Sequence, residues 1–204
     1  VTFARKTPFQ LIARWLPLAL LIALPVLGAS PAAQAAGQSQ VKVVTNVGSF
    51  VIELYPREAP HSVKNFLSLV DAEFYDGLVF HRVIPGFMIQ TGGYDADLNL
   101  REPGANVVNE SGNGLTNRKG MVAMARLNHP DSANSQFYIN VADNSHLDGS
   151  RGQPGYTVFG RVIDGWRTVT QIELVDTGRR NGLAGVPEQT IKIETIRRIP
   201  PQTD

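Results

Sequence analysis

Apolar and polar residues alternate through Val41–Thr45 and again through Phe50–Leu54, and the Asn46-Val47-Gly48-Ser49 stretch between them carries hairpin chemistry. Pro60 then opens a segment of different period. Over His61–Glu73 the apolar Val63, Phe66, Leu67 and Val70 recur three and four residues apart, which predicts an amphipathic helix covering one mouth of whatever the strands build. Asp76-Gly77 closes that unit. Period two returns in Phe80–Val83 and Met88–Gly92, joined through Pro85-Gly86, and further short strands are expected at Val122–Ala125, Gln136–Val141 and Val158–Val162. Residues 94–118 are rich in Asn, Gly, Asp and Pro and lack periodicity, so a long surface loop, functional or packed on itself, is expected there. Trp166, Val169, Ile172 and Val175 mark a second helix within Asp164–Val175. Gly178–Pro187 reads as another loop and Thr190–Ile199 as a last strand.

Many short strands with only two helices predict a mainly β fold, a barrel or sandwich with helical caps. Closure into a barrel would remove the exposed edges that an open sheet of these strands presents. The 204 residues, 43% of them apolar, suffice for one well-buried domain, and no internal repeat is visible.

The start of the chain changes the picture of where this domain works. Arg5, Lys6 and Arg14 precede an apolar run from Leu16 to Ala29, and Ala33-Gln34-Ala35 fits a signal-peptidase site. The run is short for a membrane span and is broken by Pro17 and Pro25, which disfavours an uncleaved anchor. Residues 1–35 are therefore expected to be a cleaved signal peptide, residues 36–40 a polar lead, and the mature protein periplasmic with no membrane attachment. The absence of cysteine excludes lipoprotein anchoring, thiol nucleophiles, disulfides and Cys-based metal sites. His61, His81, His129 and His146 show no metal-ligand spacing, so no metal or other cofactor is expected. The formal charge of +1 conceals an asymmetry: residues 37–204 hold 16 basic and 18 acidic side chains. No basic stripe interleaves with aromatics, and nucleic acid is not an expected partner.

The most informative stretch is Phe80-His81-Arg82-Val83-Ile84-Pro85-Gly86-Phe87-Met88-Ile89-Gln90-Thr91-Gly92-Gly93. Alternation on two strands joined at Pro85-Gly86 puts Arg82 and Gln90 on one surface, with Phe87 and Met88 at the turn beside the charge. A small apolar pocket with a guanidinium at its rim suits an apolar residue bearing a polar backbone. This run resembles the signature of the cyclophilin peptidyl-prolyl isomerases, and Met124-Ala125-Arg126 through Ser135-Gln136-Phe137-Tyr138-Ile139-Asn140 resembles the other half of their site.

The resemblance covers residues 41–199, leaving 200–204 as a tail, and implies a closed antiparallel barrel of about eight strands with two capping helices. It implies isomerisation of X-Pro bonds, without cofactor or covalent intermediate, by a monomer acting on proline-containing unfolded or exposed segments. By the same resemblance Arg82, Gln90 and Gln136 carry catalysis. Phe87, Met88, Ala125, Tyr138, Leu147 and Tyr156 form the proline pocket, and the Ala125-Arg126 backbone pairs with an extended peptide as an edge strand does. His81, on the opposite face of the strand from Arg82, is expected to be structural. His146 stands where many eukaryotic relatives place tryptophan, Tyr156 where they place histidine, and Tyr138 where phenylalanine is commoner. These replacements keep an aromatic or heteroaromatic wall but lose an indole, so proline binding should survive while cyclosporin binding should be weak. They look like the bacterial periplasmic branch.

Rotation about a prolyl bond breaks no covalent bond; its obstacle is a barrier of about 18–20 kcal/mol from amide resonance. A fixed donor aimed at the proline nitrogen, whose lone pair is freed as the amide twists, binds the transition state better than either planar isomer. Arginine suits that task because it stays ionised and offers several donors from a rigid plane. Two other classes compete with this reading. A cyclophilin-like binding module docking proline-containing peptides without turnover would be free to lose Arg82, and an unrelated secreted barrel binding sugar or another small ligand would explain neither sequence block. No nucleophile elbow or Ser-His-Asp set supports a hydrolase.

Overall fold

The computed structural model describes residues 1–2, 39–150 and 152–200. The expected signal peptide and its Ala33-Gln34-Ala35 site lie outside the described residues, apart from the first two.

Among the described residues, ten strands and two α-helices follow one another. They are β1 (Ser39–Thr45), β2 (Gly48–Leu54), α1 (Pro60–Asp71), β3 (Arg82–Ile84), β4 (Met88–Thr91), β5 (Met121–Met124), β6 (Phe137–Asn140), β7 (Val158–Asp164), α2 (Trp166–Glu173), β8 (Thr177–Arg180), β9 (Leu183–Pro187) and β10 (Ile193–Ile199). Eight strands form one antiparallel, strongly curled sheet in the order β10-β1-β2-β7-β5-β6-β4-β3. The two edge strands do not pair along their lengths. Their ends of the sheet are instead tied by the segments leading into them: Phe80 N–H donates to Ile191 C=O at 2.9 Å and Ile193 N–H to Leu78 C=O at 2.8 Å.

Side chains from the inner face of the sheet and from both helices form one core. Phe66 of α1 sits at its centre, with ring centroids 5.2–5.4 Å from Tyr75, Phe137 and Phe159. All four apolar positions expected to face inward from α1 are buried, as are Val169 and Ile172 of α2. The residue before α1, Ala59, supplies no capping side chain. Glu110, far along the chain, fills that place: its carboxylate accepts from His61 N–H (3.0 Å), Ser62 N–H (2.9 Å) and Ser62 Oγ (2.7 Å). The long loop of residues 94–118 is thereby tied to the helix.

One expected loop is a hairpin instead. Within Gly178–Pro187, β8 and β9 pair antiparallel around Asn181 and Gly182, both with positive φ (49° and 79°). That is the geometry a two-residue primed turn demands, and Asn-Gly supplies it.

Candidate active site

The site lies on the outer face of the curled sheet. Period-two alternation sends Val83, Ile89, Val122, Met124, Phe137 and Ile139 into the core and Arg82, Met88, Gln90, Ala123 and Tyr138 to the other side. There Met88, Ala123, Tyr138 and Val158 form a second, smaller apolar cluster, with Phe87, Ala125, Leu147 and Tyr156 packed against it. Register does the placing. Arg82 lies opposite Gln90 across β3–β4, and Gln90 opposite Tyr138 across β4–β6.

A tight turn brings Phe87 to this face. Phe87 N–H donates to Ile84 C=O at 3.1 Å, with Pro85 and Gly86 as central residues and Gly86 at φ 69°. Proline fixes the first φ and glycine permits the positive second one, as a type II turn requires. Arg82, Phe87, Met88, Gln90, Ala125, Arg126, Tyr138, Leu147 and Tyr156 enclose a cavity of 190 Å³. Larger open clefts lie elsewhere, such as one of 460 Å³ beside Trp166, but there the cation Lys119 already sits over the indole, 5.3 Å from its centroid.

Three side chains set the position of the guanidinium. Arg82 Nη1 donates to Gln90 Oε1 at 3.3 Å, and Gln90 Nε2 donates to Gln136 Oε1 at 2.9 Å. Met88 Sδ stands 3.8 Å from the same Nη1. A neutral amide relay thus aims Arg82 without neutralising it. Room for Gln136 comes from Gly93, where a Cβ would fall 2.6 Å from the Gln136 amide carbon and nitrogen. Gln136 itself does not line the cavity; it faces an adjoining cleft of 260 Å³ that shares Gln90, Ala125 and Arg126 with it.

The remaining walls are aromatic. Tyr138 and Tyr156 meet edge to face at 5.9 Å between centroids, and the Arg126 guanidinium covers Tyr156 at 4.7 Å. Arg126 also donates to the carbonyls of Leu127, Asn128, Pro154 and Gly155, stitching two loops together over that ring. His146 is exposed outside the cavity lining, stacked on Phe87 at 5.5 Å. The Ala125-Arg126 segment, expected to pair with a peptide as an edge strand does, follows directly on β5. β5 ends at Met124 and is paired on both sides, and Ala125 N–H is already donated to Gln136 C=O at 2.9 Å. Among the described residues, the groups left for a peptide are the Ala125 carbonyl and the Arg126 backbone N–H and C=O.

His81 is buried, packed on Tyr94 with 4.6 Å between ring centroids, and its Nδ1 has no hydrogen-bond partner among the described residues. Burial pushes its pKa down to about 4, and the neighbouring Arg82 charge adds to the effect. It is a neutral packed group.

The sequence reading missed three asparagines behind the pocket, Asn117, Asn140 and Asn144, all buried. Only a count of polar residues flanking the apolar strands could have hinted at them.

A guanidinium held at the rim of a small cavity with aromatic and aliphatic walls is the arrangement that X-Pro rotation calls for. The family model of cyclophilin type peptidyl-prolyl cis-trans isomerases matches residues 40–198. The chain belongs to this family. A peptidyl-prolyl cis-trans isomerase of Acinetobacter baylyi is 46% identical over 176 residues, 86% of this chain and 94% of that one. Peptidyl-prolyl cis-trans isomerase A of Dickeya dadantii is 41% identical over 181 residues, 89% and 95% of the two chains. Among solved structures, a Cryptosporidium parvum cyclophilin matches with a TM-score of 0.65 at 26% identity, covering 81% of this chain and 99% of its own. The same parasite cyclophilin has also been crystallised in the presence of the dipeptide Ala-Pro. The protein is accordingly a cyclophilin with peptidyl-prolyl cis-trans isomerase activity, and its mainly β, curled eight-strand fold with two helices is the cyclophilin fold.

Proposed function

We propose that this cyclophilin accelerates X-Pro rotation in exported polypeptides outside the cytoplasmic membrane, and that it belongs to the periplasmic branch of bacterial cyclophilins. Its substrates are proline-containing segments of unfolded or exposed chain. The proline ring enters the cavity against Phe87, Met88, Leu147 and Tyr138, while the free Ala125 carbonyl and Arg126 backbone hold the neighbouring peptide groups extended. As the amide twists, resonance is lost and the nitrogen gains a lone pair. Arg82, one of whose N–H groups is held by Gln90, directs another to that nitrogen and so binds the twisted state more tightly than either planar one. No proton moves and no covalent bond forms. The observation that carries this reading is the Arg82–Gln90–Gln136 relay at the rim of a 190 Å³ cavity walled by Phe87, Met88, Leu147, Tyr138 and Tyr156.

Titration of a short Ala-Pro peptide into wild type and Phe87→Ala, followed by NMR, tests the pocket. Phe87→Ala removes an apolar wall worth roughly 1.5–3 kcal/mol if fully covered by the ring, so binding should weaken at least tenfold. Equal affinities would place the ring elsewhere. Export rests on the basic start, the apolar run and Ala33-Gln34-Ala35. N-terminal sequencing of protein from a periplasmic extract should begin near Ala36, and full-length chain in the membrane fraction would favour an anchor instead.

A further inference from the structure

The three asparagines missed by the sequence reading form a single network behind the proline pocket, with exposures of 1% (Asn117), 0% (Asn140) and 3% (Asn144). Asp148 fixes its direction. One carboxylate oxygen of Asp148 accepts from Asn117 N–H at 2.7 Å and from Asn117 Nδ2 at 2.9 Å. That oxygen already accepts the Asn117 backbone N–H, so the amide nitrogen of Asn117 faces Asp148 and its oxygen faces the pocket. That oxygen takes the Tyr138 hydroxyl at 2.8 Å and Asn140 Nδ2 at 3.2 Å. Asn140 Nδ2 also donates to Met121 C=O at 3.1 Å, which turns the Asn140 oxygen toward Asn144 Nδ2 at 2.7 Å. Asn144 Nδ2 finally donates to Phe87 C=O at 2.8 Å.

Every amide in this path has its orientation dictated by its neighbour. The path starts beside Leu147, holds Tyr138 by its hydroxyl and ends on the backbone of Phe87, so it links three walls of one 190 Å³ cavity. A phenylalanine at position 138 would have no such tether. We infer that Asn117 is a positioning residue that sets the width of the proline pocket through the Tyr138 hydroxyl and the Phe87 carbonyl, and so selects the five-membered proline ring over its six-membered homologue. A pocket of fixed width resolves one methylene by about 10- to 200-fold, whereas one whose wall can shift resolves it less. The inference rests on the assignment of this cavity to the proline ring.

The test uses full-chain Asn117→Ala, Tyr138→Phe and the double variant, with matched peptides carrying proline or pipecolic acid. Each single change should raise KM for the prolyl peptide several-fold, change kcat less, and lower the prolyl-to-pipecolyl ratio of kcat/KM at least threefold. The double variant should lower that ratio no further than the larger single change, because hydroxyl and acceptor form one interaction. A lowered melting temperature with an unchanged ratio would overturn the inference, since a purely structural role moves both peptides together. Additive losses would overturn the route through Tyr138. If Asn117→Ala does not fold, Tyr138→Phe breaks the same bond from the other side, and an unchanged ratio there is decisive against it. Failure of the ring assignment itself would show separately, as prolyl-peptide binding to wild type that leaves the Phe87 and Met88 resonances unmoved.

Discussion

Gly93 contributes no side chain to the site, yet the Arg82–Gln90–Gln136 relay depends on it. Any Cβ there meets the Gln136 amide at 2.6 Å, with the Gln136 Cγ at 2.8 Å. Gly93→Ala should therefore displace Gln136, release Gln90 and let the Arg82 guanidinium wander. Turnover should fall several-fold at saturating peptide while the melting temperature moves little; an unchanged kcat would mean that Arg82 holds its place without the relay. His146 is a second residue with a separable role. It stacks exposed on Phe87 outside the cavity, so His146→Trp should add apolar area on the rim for cyclosporin and leave prolyl turnover nearly unchanged. At about 25 cal/mol per Å², with a hydrogen bond worth about 0.5–1.5 kcal/mol, the drug should bind tenfold or more tighter. Equal affinities for the two proteins by titration would assign the limit to Tyr156 or Tyr138. Arg82, Gln90, Phe87 and Met88 were legible in the sequence because strand alternation and one Pro-Gly turn are enough to gather them. Asn117, Asn140 and Asn144 were not. Polar residues in loops and at strand ends usually face water, and only the closed fold shows these three turned inward.

At the scale of elements, both helices and all eight strands of the main sheet follow from periodicity, with ends displaced by a few residues. The β8–β9 hairpin escaped because Thr177–Pro187 lacks apolar alternation, although Asn181-Gly182 carried the turn signal. Long-range capping cannot be read from periodicity at all. Glu110 sits in a loop of no apparent pattern and satisfies three donors at the start of α1, about 50 residues earlier. Glu110→Ala should cost about 1–2 kcal/mol, in the range of a lost cap, and lower the melting temperature by roughly 2–8 °C. Calorimetry reads that change. No change would mean that water replaces the carboxylate without loss.

At the scale of the whole molecule, the outer-face site lets the curled sheet keep a dry core while the pocket meets solvent. The core brings one acid-sensitive element with it. His81 stays neutral in the folded protein, with its pKa lowered from 6.5 to about 4 chiefly by burial. Its contribution is fully present above pH 6.5 and is lost as pH falls toward 4, because the unfolded chain then takes up a proton that the folded one refuses. At about 1.36 kcal/mol per pH unit the loss reaches roughly 3 kcal/mol. Urea titrations at pH 7 and pH 4.5 should therefore show a steeper acid loss for wild type than for His81→Gln, and parallel losses would mean that His81 is solvated. Catalysis should not share this sensitivity above pH 6, since rotation uses no acid or base. Sheet, turn, relay and pocket converge on the Arg82 guanidinium. The rate of cis/trans exchange at saturating X-Pro peptide, compared between wild type and folded Arg82→Ala, measures its role directly. A fall of at least about tenfold, with peptide affinity changed much less, is the expected result. Exchange at the wild-type rate would contradict it.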